Sequence, residues 1–255
     1  MQADFSVELG PDDPVLELPW ASEDPSVRYY ELRRYPELVG QIPEAVAYPV
    51  LGAFLTRINA PTSPLETAKC DVWQSREMLP EEEIFGAGQK FVSYIDLVFV
   101  DEALRGSFEK HEDFAKTMCR LLSHAPDMLA TIELIIRRGY FHERRSVAHG
   151  EGCQTTDIEQ GGAAFQPLSR ISEAGIGNAK TFHRNIYPFL KNSTAGPYCE
   201  AGPDSDGNGD PIVLSNGFYF TVYVIGFGNS DSESQHNWEI IIALLQHALM
   251  QKIHN

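Results

Sequence analysis

Cysteine is scarce in this chain. There are four in 255 residues, Cys70, Cys119, Cys153 and Cys199, spaced 49, 34 and 46 positions apart. No two form a C-x-x-C pair, so neither a zinc knuckle nor a thioredoxin-like redox site is indicated. They read as reduced thiols of a cytoplasmic protein, and Cys70 and Cys119 lie among apolar neighbours, where a free cysteine acts as a small hydrophobe. Long apolar runs are missing too: none approaches the ~18 uninterrupted residues of a spanning helix. The start, Met1-Gln2-Ala3-Asp4-Phe5-Ser6, is neither basic nor apolar, so no secretory signal is expected. Positive charge is in deficit, with 20 Lys+Arg against 36 Asp+Glu and a net charge of −16. A field of that sign repels phosphate backbones and anionic bilayers, so neither nucleic acid nor membrane is an expected partner.

What is present suits a globular body. Hydrophobic residues make up 43% and charged residues 22%, close to the roughly 45–50% and about 25% of ordinary domains. Residues 1–65 carry nine prolines, from Pro11 to Pro64. Glu44–Ile58 has helical spacing, with Val46, Val50, Leu51, Phe54, Leu55 and Ile58 on one side, but Pro49 interrupts it. This arm has no core pattern of its own and is expected to drape over the main body.

The main body, 66–255, reads as strands and helices in turn. Residues 67–76 alternate as a strand, and 90–100 form a second one apolar on both faces. Ser107 caps a helix over 108–124. Residues 129–141 and the β-branched, aromatic run 217–227 are two further strands. Ser232 with Gln235 signals a capping box for a last helix, 232–252, whose buried stripe is Trp238, Ile241, Ile242, Leu245 and Leu249. Both helices contain a similar pentapeptide, Leu121-Leu122-Ser123-His124-Ala125 and Leu244-Leu245-Gln246-His247-Ala248, which suggests a ββα–ββα pseudo-repeat. The expected fold is α+β: a four-stranded, mostly antiparallel, ferredoxin-like sheet with two helices on one face. Its other face must be covered by the arm, by an insertion or by a second subunit, so self-association as a homodimer is expected.

The insertion, 142–216, is about 75 residues long, far beyond the usual connection of roughly 4–6. Residues 137–191 hold eight Lys+Arg and five acids, a relatively basic stretch on an acidic chain. Arg137, Arg144, Arg145 and Arg184 are therefore candidates for a small anionic ligand; the alternative is pairing with the chain's own carboxylates. Asp204-Ser205-Asp206-Gly207-Asn208-Gly209-Asp210 matches the first half of a calcium loop, with oxygen ligands from Asp204, Asp206, Asn208 and Asp210. Its second half fails, since Pro211 comes next and Ser215 stands where a bidentate Glu is needed; a solvated polar turn is the plainer reading.

Enzyme chemistry, if any, falls on His142, Glu143, His149, Glu151 and His183, a mixed acid–base set near Arg144 and Arg184. Complete catalytic signatures are missing: His111-Glu112 does not continue to H-E-x-x-H, and His149-Gly150-Glu151 lacks its P-C-x-x-C partner. Gly175-Ile176-Gly177 resembles neither a complete phosphate loop nor, at this net charge, a DNA-binding hairpin. Asp96 is the one carboxylate set among apolar strand neighbours. The leading expectation is thus a binding or interaction module whose surface is formed by the insertion. A small-molecule enzyme and a calcium-binding structural protein are the alternatives.

Overall fold

A computed structural model describes residues 1–20, 29–144 and 212–254. The four expected strands form β3 (Leu65–Ser75), β4 (Gln89–Phe99), β5 (Ala130–Arg144) and β6 (Ile212–Gly228), paired antiparallel in the order β3-β4-β6-β5. The first residues add two more. β1 (Gln2–Glu8) and β2 (Val15–Leu18) lie end to end along the outer edge of β5, both parallel to it. The class is α+β, as expected, but the four-stranded, mostly antiparallel, ferredoxin-like sheet is corrected to a six-stranded mixed one. Parallel pairing joins segments about 130 residues apart. No turn signal marks it, which is why the sequence reads those residues as a draping arm.

Proline placement shapes the other N-terminal elements. Where one interrupted helix is expected, Pro43 opens α1 (Pro43–Ala47) and Pro49 opens α2 (Pro49–Ile58), with Tyr48 as the joint. A proline in the first helical turn loses no hydrogen bond that was available, so the interruption becomes a restart. Asp101 caps α3 (Glu102–Arg105), accepting from Leu104 N–H, and Ser107 caps α4 (Phe108–Leu122), accepting from Lys110 N–H at 3.3 Å. The last helix, α5 (Asp231–His254), is capped two residues before the expected box. Ser230 Oγ accepts from Glu233 N–H, and Glu233 reaches back to Asn229 N–H.

The main core lies on one face of the sheet, where α2, α4 and α5 press Phe54, Met118, Ile241 and Leu245 onto Ile95, Val222 and Leu134. Trp238, the largest fully buried side chain, packs against Tyr48 and Phe91 and donates Nε1–H to Ser93 Oγ at 2.8 Å. Gly226 lets α5 come this close, since a Cβ there would collide with Trp238 N and Ser234 O. A smaller cluster on the opposite face gathers Leu16, Leu18, Ala68, Val98, Phe141 and Tyr219, with Trp20 and Tyr29 packed on it. Trp20 Nε1–H donates to Ala68 O, tying the stretch after β2 to the far side of the sheet. Among the described residues no helix is long and apolar enough to cross a membrane. β5 and β6 pair from Ala130↔Gly226 to Arg144↔Ile212, so the long insertion narrows to residues 145–211.

Candidate functional site

Alternation along the strands sends every second residue to the second face, away from the main core. On β4 these are Val92, Tyr94, Asp96 and Val98; on β6 they are Tyr219, Thr221 and Tyr223. The register then aligns residues from edge to edge. One row runs Asp71–Tyr94–Tyr223–Glu133–Asp4 across β3, β4, β6, β5 and β1. Carboxylates thus stand at both ends and phenol rings in the middle. The Tyr94 and Tyr223 rings are 6.1 Å apart, and Trp73, further along β3, adds an indole 6.4 Å from Tyr94. Ser6 Oγ–H donates to Glu133 Oε1 at 2.7 Å.

Beside this row lies a buried polar chain. Arg137, fully buried, donates from Nε and Nη2 to Glu8 Oε2, and from Nη1 to Thr221 Oγ at 2.8 Å. Thr221 Oγ–H in turn donates to Asp96 Oδ1 at 2.6 Å. Such a chain orders its members because each buried polar atom depends on the next. Burial pushes the Asp96 carboxyl up, against the opposing pull of the Thr221 hydrogen bond and the Lys69 and Arg137 charges. Glu133 is likewise raised, first by burial, with the Ser6 hydrogen bond opposing and the Glu8 and Asp4 charges adding to it. Lys69 sits 4.9 Å over the Trp20 ring, and burial lowers its ammonium while Asp96 supports it.

The residues singled out from sequence are scattered. Arg137 is not turned toward an incoming anion but held inside by Glu8, which realises the internal-pairing alternative. His142 lies at the far end of β5, where Nε2 meets Glu17 Oε1 at 2.5 Å across the β2 edge. Glu143 and Arg144 are placed only as backbone, opposite Val213 and Ile212. Arg145, His149, Glu151, His183, Arg184, Asp204, Asp206, Asn208 and Asp210 lie outside the described residues. Among the described residues no three His, Cys, Asp or Glu side chains are grouped to hold a metal ion.

Asp71, Glu133, Tyr94 and Tyr223 were not anticipated. The signal available was polar residues at every second position of strands whose other face is apolar, which marks a sheet face with its own chemistry. Glu44 was also missed. It is the second residue of α1, 5% exposed, and neither of its carboxyl oxygens has a hydrogen-bond partner. Burial raises its pKa, with its own backbone N–H opposing. Compared with known protein families, curated proteins and solved structures, the chain matches none.

Proposed function

We propose that the protein is a binding module that holds a basic partner, presented as Lys or Arg side chains, against the second face of its sheet. The row Asp71–Tyr94–Tyr223–Glu133–Asp4 is the observation that carries this reading. Phenol and indole faces attract ammonium and guanidinium groups; Tyr223 is buried, so the half-buried Tyr94 and Trp73 are the rings that a partner meets. Flanking carboxylates add charge attraction, and a chain of net charge −16 steers cations toward it from a distance. The buried Arg137–Thr221–Asp96 chain supports the row from the adjacent register positions and fixes the strands that carry it. β5 and β6, two of the row's strands, are also the ones between which the insertion identified from sequence is joined, after Arg144 and before Ile212.

The test is calorimetric titration with an octalysine peptide at several salt concentrations. Any acidic protein attracts such a peptide weakly, so the comparison is between two doubly neutralised variants. Asp71→Asn/Glu133→Gln is expected to lose at least fivefold in affinity, and Glu37→Gln/Asp113→Asn, which removes two exposed charges elsewhere, less than twofold. Equal losses would mean attraction by net charge alone and would defeat the proposal. Binding of inorganic phosphate but not of octalysine would defeat it in favour of an anionic ligand at Arg144, Arg145 and Arg184.

A further inference from the structure

Resting on the reading of the second face as a cation-binding surface, we infer that its β3 end, where Asp71, Trp73 and Tyr94 stand together, selects N-methylated ammonium groups over the free ammonium of lysine. The corner is built by two neighbouring strands. Asp71 pairs in register with Tyr94 and Trp73 with Val92, and all four side chains alternate to the second face. The Trp73 and Tyr94 ring centroids are 6.4 Å apart, with their planes tilted by 58°. At that angle neither ring covers the other's face as a parallel stack would, and both side chains are half-buried. Val92, 2% exposed, gives the corner an apolar floor, and the buried Tyr223 ring backs Tyr94 at 6.1 Å.

Hydration decides the selectivity. A free lysine ammonium is compact and strongly hydrated. Entering this corner takes its three N–H groups from water and offers them one carboxylate in return. Each N-methyl group replaces one N–H by C–H bonds that rest against the indole and phenol faces, while the positive charge is kept. Asp71 supplies the remaining contact. One of its oxygens accepts the Val72 N–H at 2.7 Å, which fixes the carboxyl beside the rings. Burial pushes that carboxyl up to about 6, against the Val72 hydrogen bond, so at pH 7.5 it is ionised yet thinly hydrated. A dimethylammonium keeps one N–H to donate to it and sets two methyl groups on the rings. A trimethylammonium keeps the charge and loses the donor. The expected order of affinity is therefore dimethyl, trimethyl, unmodified.

Calorimetric titration at pH 7.5 compares three peptides of equal charge: octalysine, octalysine with every side chain dimethylated, and octalysine with every side chain trimethylated. The dimethylated peptide is expected to bind about fivefold more tightly than octalysine, and the trimethylated one to fall between them. Trp73→Ala should bring the three within about twofold of one another. Trp73→Phe, a smaller change that keeps the protein testable if the alanine variant does not fold, should lower the preference. Asp71→Asn should weaken all three. Equal binding of octalysine and its dimethylated form overturns the selection and leaves the surface reading in place, and a preference unchanged in the Trp73 variants does the same. Trimethylated peptide binding as tightly as dimethylated overturns the part given to Asp71. No binding of any of the three overturns the surface reading, and this inference with it.

Discussion

Arg137 and Glu8 stand directly opposite each other on parallel strands, and two guanidinium nitrogens, Nε at 3.0 Å and Nη2 at 2.7 Å, donate to the same carboxylate oxygen. The pair fastens the first strand of the chain to a strand 129 positions later. Arg137 is fully buried, while the Glu8 side chain keeps 19% of its exposure. Removing one partner of a buried pair costs more than removing both, because the remaining charge is left uncompensated.

Arg137→Met is therefore expected to destabilise the protein by about 3 kcal/mol, within the range for breaking buried pairs, and to leave Glu8 without the guanidinium that donates to it. Glu8→Gln should cost less, since that side chain is still partly solvated. Urea denaturation of the two single variants and the double variant measures this. A double variant less stable than the sum of the singles would contradict the pairing.

Gly226→Ala probes the contact between α5 and the sheet. A methyl group there meets helix backbone, which cannot step aside as a flexible side chain can. Overpacking typically costs 1–3 kcal/mol, and a backbone collision belongs at or above the upper end, about 3 kcal/mol. A thermal melt within a degree of the wild type would show that the helix does not approach β6 so closely.

Ser93 sits on the apolar side of β4 for one purpose, to accept the indole N–H of Trp238. Ser93→Ala leaves that donor buried and unpaired, at a cost of about 1–3 kcal/mol. Adding Trp238→Phe removes the donor, so the two substitutions should be less than additive. Strict additivity in chemical denaturation would count against the bond.

Stability should also respond to pH through Glu44. Its folded pKa is raised, so the unfolded chain gives up the proton first as pH increases. The stability it contributes is complete below the ordinary carboxylate value near 4.3 and is lost as pH climbs through the raised folded value. Glu44→Gln should flatten that decline, matching the wild type at pH 4 and exceeding it at pH 8. The denaturation midpoint across this range is the measurement, and parallel curves for the two proteins would contradict the orphaned carboxylate. His111 works in the opposite sense. Burial lowers its imidazole, and its Nδ1 pairs with Ser107 O, so it loses stability on acidification and must be common to both proteins compared.

The body of the fold was legible because its strands and helices carry local periodicity. Phe91, Ile95, Leu97 and Phe99 mark the core side of β4, and the stripe from Trp238 to Leu249 marks that of α5; both are buried as their spacing implies. The edge was not legible. Ala3, Phe5 and Val7 alternate in β1, but seven residues gain meaning only when β5 is placed beside them. Glu82 and Lys90 illustrate the same limit. Lys90 Nζ donates to both Glu82 oxygens, at 2.8 and 2.6 Å, with both side chains buried, a pairing across a turn that strand periodicity does not announce. Arg137 draws notice in the sequence for its charge, but which carboxylate it pairs with is hidden, because its counter-ion comes from a strand that local pattern does not reveal. The row on the second face escaped notice for a related reason: it exists only across strands, through register.

Mapping by amide NMR tests the central claim most directly. Octalysine added at pH 7.5 is expected to shift the signals of Asp71, Tyr94, Tyr223 and Glu133 together and saturably, while those of α4 stay in place. Shifts spread evenly over the acidic surface, or confined to α4 and α5 with the row unmoved, would contradict it.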